Sequence, residues 1–142
     1  MKKKTVYISL PVRGQIEHSR QRAEFLENFY RKLGFEVHNP HIIADKLRKL
    51  RKHEPGNSEI MSACLHALGK SDMMALDEHW AASWGCNVEI IYALHHNVDI
   101  VRALSDMRID FKSKFVNEII KTYKDKRILV PELDPTFSMY EN

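Results

Sequence analysis

Cysteine is scarce in this chain, with only Cys64 and Cys86 among 142 residues. Their spacing is not C-x-x-C and neither has companions for a metal site, which argues against a disulfide framework and a structural zinc site. Long hydrophobic runs are missing too, and nothing approaches the roughly 18 apolar residues that a membrane span needs. The opening MKKKTVYISL passes straight into a short apolar segment without a cleavage pattern. Free thiols in a cytoplasmic protein are therefore expected. Charge of one sign is barely in excess: 22 Lys+Arg stand against 19 Asp+Glu, a net charge of +3. That balance does not argue for a nucleic-acid polymer as partner. Internal repeats and low-complexity linkers are also absent. What is present is a 44% hydrophobic chain, long enough for one domain with a real core where two would each be marginal. A single domain over residues 1–142 is expected.

The apolar pattern then orders the elements. TVYISL (Thr5 to Leu10) is short, β-branched and aromatic, and stopped by Pro11, which reads as a buried strand. From Ile16 to Leu33, Ala23, Phe25, Leu26, Phe29, Tyr30 and Leu33 recur at helical spacing, with Gly34 as the stop. FEVHNP (Phe35 to Pro40) reads as a second strand closed by Asn-Pro, and DKLRKLRKH after it as a short solvated helix rather than a phosphate-binding patch. A helix over Ile60 to Leu68, a strand SDMMAL (Ser71 to Leu76), a helix from about Cys86 to His95 and a strand NVDIVRAL follow. Phe111 to Tyr123 reads as helical, Arg127 to Val130 as a last short strand, and the tail from about 131 as irregular. Strands alternating with helices predict an α/β fold: a Rossmann/flavodoxin-like three-layer sandwich with a mostly parallel central sheet of four to five strands.

In such sheets ligands bind beyond the carboxyl ends of the strands, which singles out Pro11 to Gln15, Asn39 to His41 and Asp77 to Gly85. The last loop leads into HWAASWGCNVEIIYAL, where Val88 to Leu94 is apolar at every position but Glu89. Ser83-x-Gly85 at the start of that helix is a candidate anion site, because the first N–H groups of a helix lack internal partners and its dipole favours negative charge. Glu89, about one turn inside, is expected to stay ionised there in surroundings that would otherwise raise its pKa. As a nucleophile or base it would carry chemistry; the competing reading is a carboxylate on a solvent stripe or in a structural ion pair.

Three stretches, YISLPVRG, GFEVHNP and SDMMALDEHWAASWGCNVEIIYAL, together resemble the nucleoside 2-deoxyribosyltransferase-like superfamily, including its deoxynucleoside-monophosphate N-glycosidases and a bacterial and phage branch. The likeness runs over roughly residues 5 to 104. It implies a small-molecule nucleotide or nucleoside as substrate and cleavage at the glycosidic carbon, by hydrolysis or transfer, with no cofactor. Glu89 matches the catalytic glutamate and Tyr7 the tyrosine that orients it, although Tyr7 reads equally as a core strand aromatic. Ser83 matches the serine that contacts phosphate in the monophosphate branch, Arg13 the arginine of its first loop, and Ser105 a serine that reaches phosphate across a dimer interface. Gly85 and Ser9 join them as expected substrate contacts. A homodimer or higher homo-oligomer is implied, with the helix Ile60 to Leu68 as a candidate interface.

Two positions depart from that pattern. Eight residues before Asp72, where the superfamily has an aspartate that helps protonate the leaving base, this chain has Cys64; Asp77 or His66 would have to supply the acid. Leu10 replaces a glycine and narrows the first loop. A catalytically inactive nucleotide-binding or sensor module is therefore the alternative reading. The eight histidines do not suggest a metal: His38 and His41 are split by Asn-Pro, and His95 and His96 point in different directions on a helix. Trp80 and Trp84 are candidates for stacking on a base or for a core or interface role.

Overall fold

The computed structural model describes residues 2–12, 15–109 and 111. Arg13, the expected helix beyond Phe111, the strand Arg127 to Val130 and the tail lie outside the described residues.

Four strands, β1 (Thr5–Ser9), β2 (Glu36–His38), β3 (Met73–Leu76) and β4 (Asp99–Arg102), form one sheet in the order β2-β1-β3-β4, with every pair parallel. Tyr7 lies opposite His38 on one side and Met74 on the other, and Met74 lies opposite Ile100. β1 is central and covered on both faces, so Val6 to Ser9 are all buried; this is why its sequence reads as a continuous run rather than an alternation.

Alternation reappears in what each side chain meets. Val6, Ile8, Ala75 and Val101 face α1 (Ile16–Lys32), packing on Ala23, Leu26 and Tyr30. Tyr7, Met74, Leu76 and Ile100 face the opposite layer, α3 (Asn57–Gly69) and α4 (Trp84–His95), where Leu65, Leu68, Val88 and Ile90 fill the core. The result is a three-layer Rossmann/flavodoxin-like α/β fold.

Local sequence chemistry sets the helix ends. α1 closes with Gly34 at φ 95°, the Phe35 amide reaching the Tyr30 carbonyl and the Gly34 amide that of Arg31, the paired bonds of a Schellman motif. α4 closes the same way with Asn97 at φ 56° and the Val98 amide on the Ala93 carbonyl. The Asn39-Pro40 pair acts differently from the sequence expectation. Asn39 accepts a hydrogen bond from the His41 amide at 2.9 Å and Pro40 occupies the first turn of α2 (Pro40–Leu50); a proline without an N–H fits that position. The helix therefore starts five residues before the basic run at Asp45 and is not simply solvated, for His41 and Ala44 on it are buried. Asp72, read as structural, ties the edges of β1 and β3 by accepting from the Thr5 amide at 2.8 Å. Beyond β4 the chain turns through Leu104, φ 65°, and Arg108 forms an antiparallel bridge back to Val101. No helix among the described residues is long and apolar enough to cross a membrane.

Candidate functional site

β1 runs out to β2 on one side and the chain returns to β3 on the other, so the carboxyl ends of these two central strands flank a crevice. A cavity of about 660 Å³ opens there, its wall shared by Leu10 and Val12 after β1, the start of α1, one face of α2, the first half of α3 and the start of α4, with Glu89 exposed to it. Glu89 is otherwise buried, at 5% exposure. Its Oε1 accepts a hydrogen bond from Ser9 Oγ at 2.8 Å, and its Oε2 accepts one from the Tyr7 hydroxyl. Tyr7 and Ser9 are two residues apart on β1, so both point to the α4 side of the sheet and hold one carboxylate between them. Burial excludes the solvent stripe as an account of Glu89, and among the described residues its partners are two hydroxyls rather than a cation.

Burial pushes the Glu89 carboxyl up from 4.5 to about 7, against the opposing pull of the Tyr7 and Ser9 hydrogen bonds. The sequence expectation that Glu89 stays ionised gave desolvation too little weight: burial outweighs the two hydroxyl donors, so the carboxyl is raised rather than held at its ordinary value. Its neighbours do not titrate near neutrality. Burial, then the Glu89 charge, raises the Tyr7 phenol well above 10. The same two causes carry the Cys64 thiol to about 12, and Cys86 also rises to about 12. One proton-exchanging group thus sits among groups that keep their protons.

α4 is held in place by its own first turn. Ser83 caps it, accepting from the Cys86 amide at 3.2 Å, and the Asn87 side chain donates to the carbonyls of Trp80, Ala81 and Ser83. These bonds tie the single 3-10 turn Trp80–Ala82 to the helix, and His79 takes a left-handed backbone, φ 63°, to enter it. Ser83, Trp84 and Gly85 all line the cavity. Gly85 faces α3 closely: a Cβ there would meet Met61 Cε at 3.3 Å.

Of the residues singled out in the sequence, Glu89, Tyr7, Ser9, Ser83 and Gly85 come together at this cavity, and Cys64 lines it beside Glu89. The rest do not. Asp77 is engaged by Arg22 in a two-pronged ion pair, 2.9 Å at each prong, and lines a separate cavity of about 640 Å³ on the other side of Leu10 and Val12. His66 lies exposed on α3. Ser105 sits past β4, its Oγ accepting from the Met107 amide at 3.0 Å, beside a hollow shared with Tyr30 and Phe35. Trp80 packs edge-on against Phe111 at 5.6 Å. His41 lines the Glu89 cavity from one of the loops the sequence singled out, whereas Arg20 and Arg48, which also line it, were missed. A signal existed: with Asn39 as cap and Pro40 in the first turn, His41, Ala44 and Arg48 fall at helical spacing on one face. Among the described residues no cluster of His, Cys, Asp and Glu has the makings of a metal site.

A parallel sheet ordered β2-β1-β3-β4, with a cavity that Glu89 lines at the ends of its central strands, defines an α/β protein of the Rossmann/flavodoxin-like class. The chain belongs to the family DUF4406, a domain of unknown function, which it matches over residues 4–102, all four strands included. No curated protein and no solved structure matches it.

Proposed function

We propose that this chain is a nucleotide N-glycosidase or deoxyribosyltransferase that cleaves the base–sugar bond of a deoxynucleoside 5′-monophosphate, acting in the cytoplasm as a homodimer or higher homo-oligomer. One observation carries the reading: a buried carboxylate, gripped by Tyr7 and Ser9, meets a ligand-sized cavity. The resemblance to the nucleoside 2-deoxyribosyltransferase-like superfamily supports the same assignment.

In this mechanism a Glu89 oxygen attacks the anomeric carbon, the C1′–N bond breaks, and its electron pair leaves with the base. Water, or the nitrogen of a second base, then displaces the carboxylate from C1′ and restores Glu89. The transition state is oxocarbenium-like, and a carboxylate in a dry site stabilises the positive charge developing on the sugar. Tyr7 and Ser9 keep the attacking group oriented, and their donated hydrogen bonds favour its ionised form. Ser83 and Gly85, at the start of α4, take the sugar-phosphate end. Arg13 joins them by the same resemblance. Ser9 is assigned to Glu89 rather than to phosphate, because its hydroxyl is already spent on the carboxylate.

A second reading, a nucleotide-binding module without turnover, has a specific observation in its favour. Cys64, whose thiol holds its proton up to about 12, stands beside Glu89 where a carboxylic acid would protonate the leaving base. Incubation with a panel of ribo- and deoxynucleoside monophosphates, followed by chromatography for free base, separates the two. Base release that Glu89→Ala abolishes supports the enzyme. Saturable binding with no release in any member of the panel overturns it and leaves the binding module.

A further inference from the structure

A phosphate dianion entering this cavity needs formal positive charge, and the start of α4 offers a hydroxyl and backbone N–H groups but no full charge. The charged residues that line the cavity, among those described, are Glu89, and Arg20 and Arg48 on the wall formed by α1 and α2. The two arginines share one carboxylate. Arg20 grips Asp45 with both terminal nitrogens, at 2.7 and 2.9 Å, and Arg48 reaches the same Asp45 at 2.9 Å while its Nε donates to Glu54 at 2.8 Å. Asp45 and Glu54 do not line the cavity whereas Arg20 and Arg48 do, so both anions lie outside its wall. Each guanidinium spends two of its five N–H donors on these bonds and retains three. The side chains are one-third exposed, at 31% for Arg20 and 37% for Arg48, so a ligand can reach them. His41, between them on the wall, adds no cation: burial, reinforced by the nearby arginines, lowers its pKa. Its ring is hydrogen-bonded to Ser19 at 2.8 Å.

We infer that Arg20 and Arg48, braced by Asp45, form the subsite that recognises the ligand's phosphate, with the sugar directed from there toward Glu89. The inference rests on the proposed nucleotide reading for the identity of the ligand, and it moves the burden of phosphate charge from the loop arginine to α1 and α2. Asp45 fixes both guanidinium planes before a ligand arrives, so little side-chain entropy is lost on binding.

The probes are inorganic phosphate and 2-deoxyribose 5-phosphate, which need no knowledge of the base, titrated against amide chemical shifts of the full chain. Saturable shifts are expected in the wild type. Arg20→Gln and Arg48→Gln are each expected to weaken 2-deoxyribose 5-phosphate at least tenfold, whereas Arg31→Gln, which breaks only a surface pair with Glu27, leaves it within twofold. Where a Gln variant does not fold, Arg48→Lys keeps the charge but loses the fork and is expected to weaken binding severalfold. Arginine variants that bind within threefold of the wild type, or a wild type that binds neither probe, overturn the inference. Glu89→Gln makes the two proposals separable. Arginine-dependent probe binding without base release from any nucleotide sinks the glycosidase and leaves the subsite standing; base release with KM unchanged in both arginine variants does the reverse.

Discussion

At the scale of single residues, the proton on Glu89 decides most of what this site can do. With its carboxyl at about 7, roughly half of the molecules at neutral pH carry the anion that attacks. Base release is accordingly expected to rise with pH to a midpoint near 7, and a pH–rate profile on the substrate found in the panel measures it. Tyr7→Phe removes a donor that favours the anion, so the midpoint should move up and the rate at pH 7 fall, at a stability cost of about 1–2 kcal/mol. Stability carries the same signature. Between 4.5 and about 7 the folded chain holds a proton that the unfolded chain has released, so stability is highest below that window and declines as pH rises through it. The loss amounts to roughly 3 kcal/mol. Urea denaturation of Glu89→Gln against wild type should show near-equal stability at pH 4 and an advantage for the variant of that order at pH 8. A difference that does not change with pH would show that Glu89 is not desolvated as described. The sequence flagged Glu89 as a charge in an apolar run, and Tyr7 only through the resemblance to the nucleoside 2-deoxyribosyltransferase-like superfamily, since its position alone read equally as a core strand aromatic. It could not weigh burial against the helix start, because the depth of a side chain depends on partners far along the chain.

At the scale of elements, α4 depends on a cap and a clasp. Ser83→Ala removes the side-chain oxygen that receives the Cys86 amide and is expected to cost about 1 kcal/mol. Asn87→Ala removes the side-chain donor to three carbonyls of the preceding turn and should cost about 1–3 kcal/mol. Thermal or urea denaturation reads both, and a null effect for Asn87→Ala would mean that the 3-10 turn is held by other contacts. Elements with strong local signals were legible within a residue or two: α1 from its periodicity and Gly34, and β1 from its β-branched run. α2 was not, because Asn-Pro ends a strand as readily as it begins a helix and only the Asn39 side-chain bond distinguishes the two. That one ambiguity hid Arg48 from the sequence reading of the site.

At the scale of the whole molecule, the sheet order sets the site and ion pairs fasten its margins. Asp77, at the carboxyl end of β3, is buried and joined to Arg22 of α1 across the sheet's other face. Arg22→Ala leaves that carboxylate without its partner and is expected to cost about 2 kcal/mol, less than a fully buried pair because Arg22 is one-third exposed. Adding Asp77→Asn should recover part of the loss in the same denaturation experiment; no recovery would assign the cost to packing of the arginine stem instead. The strand-helix alternation foretold a parallel sheet with its site at the carboxyl ends. The partition into two cavities, with Asp77 in one and Glu89 in the other, arises from the Leu10–Val12 segment between them. Leu10 and Val12 line both cavities, and periodicity carries no record of that.

The two cysteines beside Glu89 give the experimenter a clock. With both thiols held to about 12, roughly one molecule in 100,000 carries a reactive thiolate at neutral pH. An alkylating reagent therefore labels the native chain chiefly when the layer between β1 and α4 parts and the thiols meet water. Labelling rates at Cys64 and Cys86 then report how often the packing around Glu89 opens, and a ligand seated against Glu89 should slow them in proportion to its occupancy.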